Sequence, residues 1–82
     1  MIYVSSLPFN TNKQDLVKLF EKFGSVSAVE IFADWQNPTH EPYAYVTLTG
    51  NNLEQVESDA IEELDGIKIG RTHLRVHKKV TL

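Results

Sequence analysis

The stretch Glu41-Pro42-Tyr43-Ala44-Tyr45-Val46-Thr47-Leu48 sets two tyrosines two positions apart. Its β-branched and aromatic residues alternate with small ones, as in a strand. Successive strand side chains point to opposite faces. Ala44, Val46 and Leu48 therefore share one face, and Tyr43, Tyr45 and Thr47 the other. A half-buried strand normally opposes an apolar face to a polar one. Here both faces carry apolar bulk, so the tyrosine face is read as a contact surface. The two rings repeat every second residue, about 6.6–7 Å apart by strand rise.

Bond-making chemistry has little to work with. The chain has no cysteine, which excludes a thiol nucleophile, a disulfide framework and a thiolate metal site. No phosphate-cradling glycine loop and no paired acid–base set with recognisable spacing is present. Ser5-Ser6 has no histidine partner visible in sequence. His73 and His77 are four apart, about 13 Å on a strand, too far to share a metal. His40 falls in a loop with no neighbouring ligand set. The reading is a binding protein, not an enzyme, with no metal and no cofactor.

The 82 residues suffice for one domain with one core, residues 1–82, and a monomer is expected. No apolar run is long enough for a membrane span, and no basic-then-apolar leader follows Met1. A cytoplasmic protein is expected, or a nuclear one in a eukaryote. The net charge of -3 gives no global attraction to a polyanion. The charges are nevertheless polarised. Glu54, Glu57, Asp59, Glu62, Glu63 and Asp65 occur in a stretch without a cation, whereas Arg71, Arg75, Lys78 and Lys79 occur in one without an acid. A basic strip can attract phosphate even on an acidic molecule.

The elements that must position these residues follow from the local signals. Ile2 to Ser5 alternates as a strand, and Leu7-Pro8 ends it. Thr11-x-x-Gln14 has capping-box spacing. Leu16, Leu19, Phe20 and Phe23 form a helical stripe, with Gly24 at the expected C-terminal position. Val26 to Ala33 is a second strand, Asp34 to Pro42 a loop, and Tyr43 to Leu48 a third strand. Asn51 or Asn52 caps a second helix with the stripe Leu53, Val56, Ala60, Ile61 and Leu64, closed by Gly66. Ile67 to Ile69 is a short extra strand, Gly70-Arg71 a turn, and His73 to His77 the last strand.

The order βαββαβ predicts an α+β, ferredoxin-like fold: a four-stranded antiparallel sheet with two helices on one face. Period two then points Ile2, Val4, Val29, Ile31, Ala44, Val46, Leu74 and Val76 toward the helices. Tyr3, Ser5, Glu30, Phe32, Tyr43, Tyr45, Thr47, Arg75 and His77 point to the open face. Four aromatics on an uncovered face imply a partner.

From Ile2 to about Lys79 the chain resembles the RNA-recognition motif family. Ile2-Tyr3-Val4-Ser5-Ser6-Leu7 resembles the family's hexapeptide on strand one, and Glu41 to Leu48 its octapeptide on strand three. Asp15-Leu16, Leu19-Phe20, Phe23-Gly24, Ala60-Ile61, Leu64-x-Gly66, Gly70-Arg71 and Leu74-x-Val76 also match. The resemblance implies single-stranded RNA binding, with single-stranded DNA as a substitute in vitro. Bases would stack on Tyr3, Tyr43 and Tyr45, each worth roughly 1–3 kcal/mol. Ser5 and Phe32 would adjoin them, and Arg75, His77, Lys78 and Lys79 would meet phosphates or base edges. The chain departs from the pattern at Glu41, where Lys or Arg is usual, at Pro42, where glycine is, and at Leu48, where an aromatic is. The segment between Leu48 and Ala60 is about one helical turn longer than in many members.

Two rival readings share the fold. A protein-interaction module is one, but the Arg-x-Phe motif of one peptide-binding class is here Arg71-Thr72-His73, without the Phe. An acylphosphatase-like enzyme is the other, and Ser5-Ser6-Leu7-Pro8-Phe9 has neither Gly nor Arg for an anion loop. The acidic second helix is read as a solvated face rather than a docking site. Phe32 is read equally as part of the platform or as lying under the loop, and Trp35 as a packing residue of that loop.

Overall fold

A computed structural model describes residues 1–33 and 41–79. The elements run β1 (Ile2–Ser5), α1 (Lys13–Phe20), β2 (Ser25–Phe32), β3 (Tyr43–Thr49), α2 (Leu53–Leu64), β4 (Lys68–Ile69), β5 (Thr72–His73) and β6 (Arg75–Lys78). Four strands form one antiparallel sheet in the order β2-β3-β1-β6, and β4 and β5 pair as a separate short hairpin. The ferredoxin-like α+β expectation holds. The two strands that carry the tyrosines are neighbours at the centre of the sheet.

The core lies between sheet and helices. Ile2, Val4, Ala44, Val46, Leu48 and Val76 come from the strands, Leu16 and Phe20 from α1, and Ala60 and Leu64 from α2, all buried. β1 and β3 contribute alternate residues, and Val29 and Ile31 of β2 pack against the set while only partly buried, so the intervening side chains lie on the opposite face.

Local structure differs from the sequence reading at several points. The capping box of α1 is Asn12 with Asp15, one residue later than Thr11 with Gln14. Asn12 Oδ1 accepts from the Asp15 amide at 2.9 Å, and Asp15 Oδ2 from the Asn12 amide at 3.0 Å. Thr11 instead donates its hydroxyl to the Pro8 carbonyl at 2.8 Å. Helix α1 ends at Phe20 with Glu21 as its C-cap, so Gly24 does not terminate it. Gly24 is a close-approach position. A Cβ there would lie 3.1 Å from both the Thr49 carbonyl oxygen and Val56 Cγ1. Asn52 precedes α2 in a left-handed conformation and makes no side-chain cap bond. Leu53 is exposed and does not join the apolar stripe. Glu57 takes a buried place on that helix instead, with its carboxylate 2.6 Å from the Met1 ammonium. Helix α2 ends with Asp65 as its C-cap, and Gly66 follows at φ 88°, donating its amide to the Leu74 carbonyl at 2.7 Å.

The last strand is also divided. Thr72 and His73 belong to the small hairpin, and the sheet strand begins at Arg75. Between them Leu74 is buried and donates to the Ile67 carbonyl at 2.8 Å. That bond continues the β4–β5 pairing to the base of the hairpin, directly before β6.

Candidate nucleic-acid interface

The register brings the predicted face residues into rows. Tyr3 on β1 lies opposite Tyr45 on β3 and opposite His77 on β6. Ser5 lies opposite Arg75. On the other side of β3, Glu30 lies opposite Tyr45 and Phe32 opposite Tyr43. One row therefore reads Glu30, Tyr45, Tyr3, His77 across all four strands. Phe32 and Tyr43 begin the next.

The rings in these rows touch. Tyr3 has ring centroids 5.8 Å from Tyr43, 5.6 Å from Tyr45 and 4.8 Å from His77. Phe32 stacks on Tyr43 at 5.1 Å with 18° between planes, and meets Tyr45 edge-on at 5.6 Å. These separations fall in the range of favourable aromatic pairs. The result is a contiguous aromatic surface from β2 to β6. Phe32 and Tyr43 are exposed, while Tyr3 and Tyr45 are half-buried by their neighbours.

Pro42 helps to set this surface. It is buried immediately before β3, and its carbonyl accepts from the Leu7 amide at 3.3 Å. A proline offers no amide to the sheet, which suits the position ahead of a strand's first residue. The bond holds the end of β1 against the start of β3, where Ser5 and Tyr43 sit.

The cations separate. Lys79 places Nζ 4.1 Å from the centroid of the Tyr45 ring, so its ammonium lies on the platform. Arg75 projects beside Ser5 on the same face. Lys78 alternates to the opposite side, and its Nζ is 3.9 Å from Glu54 Oε1 of α2. Of the residues singled out from sequence, Lys78 is the one not brought to the face. Trp35 and His40 lie outside the described residues.

One residue of this region was not singled out for the site. Asp65, just after α2, borders a hollow with Tyr3, Ser5, Arg75, Val76 and His77. Its Oδ1 accepts from the Val76 amide at 3.0 Å and so occupies the outer edge of β6. Its place between Leu64 and Gly66 gave no periodic signal of this role.

A family model described as RNA recognition motif matches residues 2–75. The chain belongs to the RNA recognition motif family. It is 32% identical over 78 residues to the putative RNA-binding protein RbpE of Nostoc sp., covering 94% of this chain and 75% of that protein. It is also 32% identical over 76 residues to the chloroplastic 29 kDa ribonucleoprotein A of Nicotiana sylvestris, covering 93% of this chain. The chain spans about a quarter of that relative's length, the match being 27% of it. Among solved structures, RNA Binding Protein PG1 shares the fold with a TM-score of 0.79 at 24% identity, covering 99% of this chain and 94% of that one. The family and the names of these relatives point to RNA binding rather than catalysis. No helix among the described residues is long and apolar enough to cross a membrane.

Proposed function

We propose that this RNA recognition motif binds single-stranded RNA on the open face of its sheet. The observation that carries the proposal is the unbroken ring contact Phe32–Tyr43–Tyr3–His77, with Tyr45 packed against the first three. Splayed bases expose π faces that stack on such rings with little regard to sequence. Tyr3, Tyr43, Tyr45 and Phe32 supply the stacking surface. Ser5, Arg75 and His77 supply polar contacts at its β6 side, and Lys79 supplies a cation at Tyr45. Lys78 contributes only long-range charge. Short single-stranded DNA binds to the same rings in vitro, and the domain acts as a monomer in the cytoplasm.

A backbone NMR titration with short single-stranded RNAs at low salt tests this. Shifts should centre on Tyr3, Phe32, Tyr43, Tyr45 and the segment from Arg75 to Lys79. They should vanish in the folded Tyr43→Ala/Tyr45→Ala double variant. Saturable RNA binding that survives in that variant would overturn the platform reading.

A protein-binding role has its own surface. On the helix side an apolar hollow of about 410 Å³ is lined by Leu7, Pro8, Leu16, Leu19 and Ile69. It lies away from the tyrosines, so a protein partner there would be compatible with RNA on the sheet.

A further inference from the structure

Glu30 is the one acid among the residues that β1, β2, β3 and β6 direct to the open face. It is exposed and stands opposite Tyr45. Cβ atoms of directly opposed residues lie about 4.5–5.5 Å apart, so its carboxylate can reach the edge of anything stacked on that ring. Phe32, two residues along β2, and Tyr43, diagonal on β3, complete an aromatic surround. Among the described residues the Glu30 carboxylate has neither an ion-pair nor a hydrogen-bond partner.

A bare carboxylate on an RNA-binding face repels phosphate and hydrates well. Displacing that water costs free energy unless the incoming base supplies donors. In the free protein the Lys79 ammonium lies over Tyr45, the ring that Glu30 faces across the β2–β3 pair. A base stacking on Tyr45 takes that ammonium's place.

The four bases differ sharply as partners for two carboxylate oxygens. Uracil offers one N–H between two carbonyl oxygens, which a carboxylate repels. Cytosine and adenine each offer one amino group next to a ring acceptor. Guanine alone offers two adjacent donors, N1–H and the N2 amino group, in a fork like that of a guanidinium. Single-stranded bases present these Watson–Crick edges freely.

We infer that Glu30 makes the Tyr45 position selective for guanine, by accepting the N1 and N2 hydrogens of a base stacked on that ring. This rests on the RNA-platform reading and adds a base preference that stacking alone cannot give. It makes Glu30 a specificity residue rather than a source of affinity.

The test is a fluorescence-anisotropy comparison of two RNAs, a uridine heptamer and the same heptamer with one central guanosine, against the wild type, Glu30→Gln and Tyr45→Ala. A two-point base contact predicts that the guanosine heptamer binds wild type about tenfold tighter than the all-uridine one. In Glu30→Gln, which keeps the shape and loses the charge, the ratio should fall below about threefold. Inosine at the centre, lacking the N2 amino group, should forfeit most of the preference. If wild type does not prefer guanosine, or Glu30→Gln keeps the full ratio, while Tyr45→Ala still weakens both RNAs, the guanine assignment is wrong and the platform stands. If wild type binds neither heptamer, or Tyr45→Ala binds both as wild type does, both readings fall.

Discussion

Phe32 and Tyr43, on adjacent strands, stack with their rings 18° from parallel and their centroids 5.1 Å apart. Phe32 lies outside both tyrosine-bearing motifs, yet this contact makes it the β2 end of the same surface. Replacing Phe32 with Ala should weaken single-stranded RNA binding about 3–10-fold, the low end of one stacking contact. The partner ring also loses its neighbour, worth about 0.5–1.5 kcal/mol. The melting temperature should therefore fall by about 4–8 °C per kcal/mol for a domain of this size. Calorimetry of the free variant and titration of the folded one separate the two effects. Unchanged affinity would place Phe32 outside the site.

The two C-terminal lysines should behave differently although they are adjacent in sequence. Lys79 lies over Tyr45, and Lys78 turns toward Glu54 on the helix side. Lys79→Ala should reduce RNA affinity and flatten the plot of log K against log salt by about 0.7, the loss of one contact to a single strand. Lys78→Ala should leave the slope within error, and its exposed pair with Glu54 should cost under about 1 kcal/mol of stability. Titrations at four salt concentrations decide this. Equal slopes for both variants would contradict the assignment.

Much of this arrangement could be read from residue types. Period two alone placed Tyr3, Tyr45 and His77 on one face, because a strand leaves its side chains no third direction. Their shared row depended on strand order, which only the family resemblance supplied. The bulge in β2 was not legible. Val26 pairs with Leu48 and Ala28 with Thr47, leaving Ser27 as the extra residue. Strict alternation would put Val26 on the open face with Glu30 and Phe32. The bulge returns it to the core, and no local residue preference announces that. Glu57 and Leu53 exchanged their expected burial for a similar reason. Helical spacing gives the stripe but not where the helix begins to meet the sheet. Asp65 carries no local signal of its role, because its partner, the Val76 amide, is 11 residues away and on another element.

Asp65 provides a stability test of that last point. Its Oδ1 caps an amide on the outer edge of β6. Asp65→Ala leaves the Val76 amide without its acceptor, and a loss of about 1–2 kcal/mol is expected. Asp65→Asn keeps a side-chain oxygen in place and should lose less than half as much. Urea unfolding with an unchanged m-value would report both. If the two variants are equally destabilised, the carboxylate acts through its charge rather than through this bond.

The shifted capping box of α1 can be checked in the same way. Asn12 and Asp15 exchange two hydrogen bonds at the helix start, while Gln14 is exposed. Asn12→Ala should cost about 0.5–2 kcal/mol, as for other N-cap truncations. Gln14→Ala should be neutral, since alanine is an excellent helix former. The opposite order in thermal unfolding would return the cap to Thr11 and Gln14.

Glu41 supplies the sharpest electrostatic test of the platform. It is exposed and lies two residues before Tyr43, where family members favour a cation. A carboxylate there repels the backbone of any strand lying across Tyr43 and Tyr45. Glu41→Lys exchanges that repulsion for attraction. Affinity at low salt should rise about 3–10-fold, and the salt slope should steepen by about 0.7 if one phosphate is engaged. The gain should be the same for every RNA sequence, because phosphate contacts carry no base information. A variant that leaves affinity and slope unchanged would show that the RNA backbone does not pass Glu41. The strand would then have to cross the sheet nearer Arg75 and Lys79.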